Sequence, residues 1–227
     1  MGLILAYTCL PESLNNQAKE SHPSESSKFR SLFTGLRVFR SQEISLLIGI
    51  TFLISFAMSA LETILGLWAK TQFNWGPAQI GYLFALMGIF TTVMQGGLIG
   101  VMTKRFGENK MLIFGLSSTC VGFLLIATAI SLPLVIFGGI LLGIGPGTCI
   151  PSNNSLISKF ANASSQGETM GVAQSTSALA RIVGPTWAGI CFASFNSSAP
   201  FFSSAIAILV AVGLGMRVSR MIRSYKN

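Results

Sequence analysis

Two charged side chains lie inside long apolar segments of the sequence, where a charge is costly unless it meets a partner or an aqueous cavity. Glu62 can take up and release a proton in such a setting, or it can lie near the membrane surface and stay hydrated. Arg181 lies ~18 Å from the start of its segment at the helical rise of 1.5 Å per residue. Its guanidinium can bind an anionic ligand or the carbonyl oxygens of a neighbouring helix.

Three side-chain amides accompany these charges in or beside apolar segments, namely Gln95, Asn153 and Gln174. Amides at such positions can line a polar route or can join helices by hydrogen bonds, and both alternatives are open. Other chemistry is scarce, because the chain has no Asp, a single His and four Cys that form no CxxC pair. We therefore predict no catalytic residues, no metal site and no cofactor-binding residues, which argues against an enzyme.

The composition is that of an integral membrane protein. Of 227 residues, 51% are hydrophobic and only 10% are charged, and the mean hydropathy is +0.65. This excludes a soluble globular enzyme, a disordered tail and a secreted disulfide scaffold. Each of six apolar stretches can cross ~30 Å of hydrocarbon as a helix, and none alternates as a barrel strand would. They are residues 44–69, 78–101, 111–131, 133–157, 169–194 and 199–217, so we predict an all-α bundle of six transmembrane helices over 44–217.

The distribution of basic residues predicts the orientation of this bundle. Thirteen of the fifteen Lys and Arg residues fall on one side if six spans are drawn, and the exceptions are Lys70 and Arg181. Such a bias places both termini in the cytoplasm, in a plasma membrane or a bacterial inner membrane. The net charge of +8 then faces lipid of the inner leaflet, and a nucleic-acid partner is not needed.

The ends of the chain are interpreted by composition. Residues 1–11 are apolar but too short to span a bilayer, so we interpret them as the end of a truncated transmembrane helix. Residues 12–43 form a polar cytoplasmic linker, in which 28–40 indicate either a short amphipathic interfacial helix or a helical lead-in to the first span. Residues 218–227 form a basic cytoplasmic tail.

Glycine and proline positions in the fourth span predict close packing and a bend. Gly139, Gly143 and Gly147 are spaced by four residues, which lets two helices approach closely in lipid. Pro146 and Pro151 should bend or loosen the same helix. A bend of this kind is tolerated beside protein or a water-filled cavity.

The loop between the second and third spans, GVMTKRFGENK at 100–110, resembles the cytoplasmic loop motif of the major facilitator superfamily. Gly100, Arg105, Gly107 and Lys110 match that motif, and Lys104 replaces its Asp. Gly100 allows close helix approach and Gly107 a tight turn, while Arg105 can bind helix carbonyls or a carboxylate across the loop.

Further segments resemble the second half of tetracycline-efflux-type proton antiporters. These are NWGP at 74–77, IGY at 80–82, Gln95 and KRFGE at 104–108. In the fifth span, Gly184, Pro185 and Gly189 resemble the antiporter motif GPxxGG, although Ala188 replaces one Gly. The resemblance covers essentially the whole chain but only half of the family's usual twelve-helix body.

The resemblance implies a half-length secondary transporter, in which the first and fourth spans line a cavity and the third and sixth are peripheral. It implies alternating access and proton-driven efflux of a small amphipathic molecule or drug, with the proton gradient in place of a cofactor. It also implies, as partners, the lipid bilayer, a small-molecule substrate and a separate N-terminal half or a second copy. The alternative is a non-transporting membrane bundle or a truncated transporter remnant.

The charge distribution generates a topology test. A single Cys at position 74 should react with a membrane-impermeant thiol reagent in intact cells, and one at position 106 should react only after permeabilisation, because the basic loop is cytoplasmic. The background lacks the native cysteines, and mass spectrometry measures labelling. Labelling of 106 but not of 74 in intact cells would contradict the proposed orientation.

Overall fold

A computed structural model of the chain describes residues 41–162 and 165–224. The truncated helix predicted at 1–11, the interfacial helix predicted at 28–40 and residues 225–227 of the predicted tail lie outside these residues. The description below applies to the described part of the chain.

The described residues are almost entirely helical and contain no strand, which confirms the predicted all-α class. The second span is built from two helices joined by a five-residue π-helical segment, Met94–Leu98. The helices are α1 (Gln42–Phe73), α2 (Pro77–Val93), α3 (Ile99–Phe106), α4 (Glu108–Ala127), α5 (Leu132–Phe160), α6 (Gln166–Ser194) and α7 (Ala199–Ser224).

Five of the six predicted spans are both long enough and apolar enough to cross a membrane. The remaining one, α6, has 29 residues and is long enough, but its sequence is more polar and includes Glu168, Gln174 and Arg181. The last span continues as a helix to Ser224, so part of the predicted 218–227 tail is helical.

Short sequence signals set the helix ends. Ser41 caps α1 by accepting a hydrogen bond from the Ile44 N–H at 3.5 Å. At the other end of α1, Asn74 adopts a left-handed conformation (φ 53°, ψ 36°), which stops the helix. Pro77 then opens α2, and the Gln79 side chain accepts a bond from Gly76 N at 3.1 Å. Local chemistry of the NWGP segment thus makes the first turn.

Gly107 separates α3 from α4 with φ +84° and ψ 150°. Residues other than glycine rarely adopt this φ, so the predicted tight turn at Gly107 is confirmed. Gly100 does not make the close approach predicted for it, because a Cβ there would meet no described atom within 4 Å.

Helices α1, α4, α5 and α7 supply most of the apolar core. Trp68 and Phe201 are fully buried and join α1 to α7 edge to face, with ring centroids 5.3 Å apart. The three described cysteines, Cys120, Cys149 and Cys191, are free and buried and act as small core side chains.

The glycine spacing of the fourth span does bring helices together. A Cβ on Gly143 would lie 2.6 Å from the Met87 carbonyl oxygen of α2, and one on Gly147 would lie 3.2 Å from the Thr91 Cα. The Thr91 hydroxyl also donates to the Gly143 carbonyl at 2.9 Å. Backbone contact between α2 and α5 therefore depends on these glycines.

The bend or loosening predicted for the fourth span does not interrupt its helix. Helix α5 is continuous from Leu132 to Phe160 with Pro146 and Pro151 inside it. The irregularity lies instead in the second span, where Gly97 has non-helical torsion angles (φ 164°, ψ −32°) and the Ile99 N–H donates five residues back to Met94. Adjacent Gly96 and Gly97 explain this, because glycine is a weak helix former.

A close backbone contact between α4 and α5 generates a stability prediction. A Cβ on Gly115 would lie 2.6 Å from Cys149 N and 2.8 Å from Gly145 O, both backbone atoms of α5. Gly115→Ala should therefore push the helices apart and lower the free energy of unfolding by about 1–3 kcal/mol.

Gly213→Ala is the matched control, since a Cβ there meets no described atom within 4 Å. Unfolding is followed by far-UV circular dichroism during SDS titration of the protein in mixed micelles. Equal stability of the two variants would show that the α4–α5 contact is not tight.

Candidate functional site

A polar cavity of about 170 Å³ lies between three helices, α1, α5 and α6. Each helix contributes polar side chains from one face, together with two isoleucines. The lining residues are Thr51, Ile54, Ser55, Ile150, Asn153, Asn154, Gln174, Ser177 and Arg181. The first and fourth spans line this cavity as predicted, and the fifth joins them, whereas α4 and α7 contribute no lining residue.

Helices α1 and α6 run in the same direction and touch along a line of small residues. The hydroxyl oxygens of Ser55 and Ser177 lie 2.7 Å apart, and the Ser59 hydroxyl lies 3.5 Å from the Ala180 carbonyl oxygen. One turn further along, a Cβ on Gly184 would collide with Ser59 Oγ and lie 2.7 Å from the Phe56 carbonyl oxygen. Close packing of α6 on α1 thus positions the cavity wall.

Asn153 joins α5 to α1 at the base of the cavity. Its Nδ2 donates to the Leu47 carbonyl at 3.1 Å and to the Thr51 hydroxyl at 2.8 Å. The residue is only 2% exposed, and its Oδ1 has no hydrogen-bond partner in the described structure. Asn153 therefore joins helices, which was one of the two alternatives for it, and also lines the cavity.

Arg181 projects from the exposed face of α6 at the edge of the cavity. Within residues 41–162 and 165–224 it has neither a hydrogen bond nor an ion pair, so it does not bind helix carbonyls there. Gln174, two turns earlier on the same helix, is also exposed and unpaired in this part of the chain. The guanidinium and this amide are consequently available to a ligand.

Two of the five predicted polar residues lie outside the cavity. Glu62 is exposed on α1, seven residues beyond Ser55, which places it on the same helical face about 10 Å further along the axis. Gln95 is exposed in the π-helical segment of the second span. Of the five predicted residues, the cavity therefore brings together Asn153, Gln174 and Arg181.

Sequence reasoning missed the hydroxyl residues of the site, Thr51, Ser55 and Ser177. A signal was present, because Thr51, Ser55 and Ser59 recur every four residues in an otherwise apolar helix. A polar stripe of that period marks one helix face.

The loop motif lies at a second cavity of about 700 Å³, formed by the α3–α4 turn and the C-terminal part of α5. The Lys159 ammonium of α5 pairs with the Glu108 carboxylate at 2.7 Å, and the Ser155 hydroxyl donates to the same carboxylate at 2.6 Å. Lys104 lines this cavity, while Lys110 is exposed. Glu108 thus supplies a loop carboxylate although Lys104 replaces the motif's Asp.

Arg105 makes neither of the contacts predicted for it. It is exposed, has no carbonyl or carboxylate partner among the described residues, and its guanidinium lies 5.6 Å from the centroid of the neighbouring Phe106 ring. Lys159 of α5 pairs with the loop carboxylate of Glu108 instead.

The GPxxGG-like motif divides between two environments. Gly184 packs against α1 as described above, and Pro185 continues inside α6. A Cβ on Gly189 would meet no described atom within 4 Å, so Gly189 packs against nothing in this part of the chain.

Residues 47–221 match the family model of the Major Facilitator Superfamily. The chain belongs to this superfamily. Membership identifies a membrane transporter family and not an enzyme family, and it confirms the half-length major facilitator fold predicted from the loop motif.

Among curated relatives, the chain is 28% identical to the class D tetracycline resistance protein of Salmonella ordonez over 60% of this chain and 34% of that protein. It is 28% identical to solute carrier family 22 member 18 of Rattus norvegicus over 87% of this chain and 48% of that protein. The chain thus spans at most about half the length of these relatives.

Solved structures show the same fold. The human organic anion transporter MFSD10 (TETRAN) superposes with a TM-score of 0.69 at 26% identity, over 77% of this chain and 41% of that one. An auto-inhibited peptide transporter of the POT family superposes with a TM-score of 0.68 at 18% identity, over 79% of this chain and 37% of that one.

The geometry of the α1–α6 wall generates a crosslinking prediction. Ser55→Cys combined with Ser177→Cys, in a background without native cysteines, should form a disulfide on mild oxidation because the two hydroxyl oxygens are 2.7 Å apart. Mass spectrometry of the linked peptides measures the yield.

The control pairs Ser55→Cys with Ser175→Cys, since position 175 is exposed and lies about 200° around α6 from position 177. Equal crosslinking of the two pairs would mean that the helix register described here is wrong.

Proposed function

We propose that the chain forms the C-terminal six-helix half of a secondary transporter that exports a small amphipathic molecule in exchange for entering protons. The observation that carries this proposal is the polar cavity between α1, α5 and α6, which places an unpaired arginine and an exposed amide in an otherwise apolar bundle. A purely structural bundle has no use for such groups, because they are costly to hold in lipid.

Two helices of the bundle present large unpartnered faces. Only 11% of the residues in the most apolar part of the second span are buried within the described structure, and Tyr82 of α2 is 75% exposed. Helix α6 exposes Arg181 and Gln174 together with Ile182. We propose that a separate N-terminal half, or a second copy of the chain, covers these faces and completes the substrate route.

Alternating access follows from this arrangement. Rocking of two halves about a central site exposes the cavity first to one side of the membrane and then to the other. The well-packed α1–α4–α5–α7 core suits a rigid half, and the short loop at Gly107 with the Glu108–Lys159 ion pair lies where such a half ends on its cytoplasmic side.

Glu62 is our candidate for the coupled proton. It lies on the cavity-lining face of α1, about two turns from Ser55, and is exposed on the side that the second half would cover. Proton binding there removes its charge, which changes the electrostatic field on the route beside Arg181. Efflux as the direction of transport is supported by relatives named for tetracycline resistance.

A non-transporting bundle or a transporter remnant would give no proton-coupled flux. A flux measurement therefore distinguishes this alternative from the proposed transporter. Everted membrane vesicles from cells that naturally make the chain should accumulate an amphipathic substrate when their lumen is acidified. Radiolabelled tetracycline and 1-naphthaleneacetate are the probes. Glu62→Gln should abolish gradient-driven accumulation and leave exchange at equal pH intact.

Glu43→Gln, at the other end of α1, is the matched control and should accumulate like the wild type. Full accumulation by Glu62→Gln would assign Glu62 a structural role, and failure of the wild type with both probes would favour the non-transporting alternative. The purified chain, reconstituted as a monomer in liposomes, should give no flux, because its substrate route lacks one wall. Robust flux from a monomer would contradict the need for a second half.

A further inference from the structure

The charge balance of the α1–α5–α6 cavity is one-sided. Of the nine described residues that line it, Arg181 alone is charged, and none carries a carboxylate. Arginine remains protonated at all physiological pH values, so it cannot lower its energy in lipid by losing its proton. Within the described residues it has no ion-pair partner. An anion brought by a ligand would supply that partner.

The neighbours of Arg181 are suited to the same ligand. Asn154 and Gln174 carry side-chain amides without a partner in the described structure, and each amide nitrogen offers two hydrogens. The Ser55–Ser177 pair uses one hydroxyl hydrogen between its two oxygens and leaves the other hydroxyl hydrogen free. A compact anion with several lone pairs, such as a carboxylate, can accept bonds from the guanidinium and from these groups together.

The size of the cavity limits what it can hold. Its volume of about 170 Å³ is below the range of about 300–1,000 Å³ that encloses a drug-sized molecule. The cavity therefore accommodates one polar end of a ligand. Ile54 and Ile150 form its apolar lining, and Ile150 is 40% exposed, so the rest of an amphipathic ligand can extend along this apolar edge.

We propose that this cavity is the head-group subsite for an anionic, carboxylate-bearing amphipathic substrate, with Arg181 as the residue that binds the anion and Gln174 and Asn154 as supporting donors. This inference rests on the proposed transport function and names the substrate class of the same site. A cationic amphipathic molecule is disfavoured, because its ammonium would meet the Arg181 charge with no carboxylate in the cavity wall. Glu62, the acid on the same face of α1, lies seven residues beyond Ser55, lines no part of the cavity and makes no ion pair with Arg181 in the described structure.

Equilibrium dialysis against the full chain in lipid nanodiscs tests the proposal without any gradient, and empty nanodiscs serve as the blank. The probes share one ring system: 1-naphthaleneacetate is the anion, its methyl ester is neutral and 2-(1-naphthyl)ethylamine is the cation. Saturable binding should be at least about tenfold tighter for the anion than for the ester or the amine. Loss of one charge-assisted hydrogen bond lowers affinity by about this factor.

Three variants assign the preference to Arg181. Arg181→Gln should weaken binding of 1-naphthaleneacetate about tenfold or more and leave the ester unchanged, whereas Arg181→Lys should retain the preference for the anion. Lys70→Gln removes a positive charge at the end of α1, away from the cavity, and should bind like the wild type. Circular dichroism checks that each variant is folded.

Equal affinity for the three probes would overturn the proposal, as would the absence of saturable anion binding to the wild type or unchanged anion binding by folded Arg181→Gln. In that case the counter-charge for Arg181 comes from the covering half. Anion binding by a chain that gives no proton-driven flux in vesicles would contradict the proposed transport and leave the subsite intact. Proton-driven flux of tetracycline without Arg181-dependent anion binding would support the proposed transport and contradict the anion subsite.

Discussion

The constraint on which this structure depends is that a polar group inside a bilayer must find its partner in the protein or in a bound ligand. Asn153 meets this constraint by donating two hydrogen bonds to α1, which fixes α5 against α1 where the cavity begins. Ser55 and Ser177 meet it by pairing across α1 and α6. Arg181 has no hydrogen-bond or ion-pair partner among the described residues. It lies at the edge of the cavity, where a bound ligand can supply that partner.

Small residues carry the packing that holds these groups in place. Helices in lipid gain little from apolar burial against each other, so close backbone approach and van der Waals contact supply the attraction. Three glycines, Gly115 of α4 against α5, Gly143 of α5 against α2 and Gly184 of α6 against α1, each leave less room than a methyl group needs. The exposed faces of α2 and α6 lack such contacts within the described residues, and these are the faces that the proposed second half would cover.

The loop between α3 and α4 keeps a carboxylate contact although one residue type of its motif has changed. The motif's usual Asp is Lys104 here, yet a carboxylate still bridges the loop to α5, because Glu108 pairs with Lys159 and accepts from Ser155. Glu108 is 14% exposed at its side chain and Lys159 64%, so solvent screens part of the attraction and the pair can open at modest cost.

The sequence by itself determined the class, the spans and the family. Hydrocarbon thickness fixes helix length, and the basic loops and the 100–110 motif are local features, so 44–217 as six helices, the turn at Gly107 and the major facilitator fold could all be predicted. The close helix packing at Gly139, Gly143 and Gly147 could also be predicted, because their spacing alone places them on one helix face.

Only the tertiary structure decided which polar residues share a site. Helix register across α1 and α6 pairs Ser55 with Ser177 and places Arg181 at one cavity with Asn153. Gln95, in the second span, and Glu62, seven residues beyond Ser55 on α1, lie outside that cavity. The structure also shows a non-helical residue at Gly97 of the second span, which the sequence did not predict, and an ion pair between Glu108 and Lys159 that Arg105 does not join. These outcomes depend on how side chains from distant segments interlock, and residue spacing within one segment holds no information about the segment that packs against it.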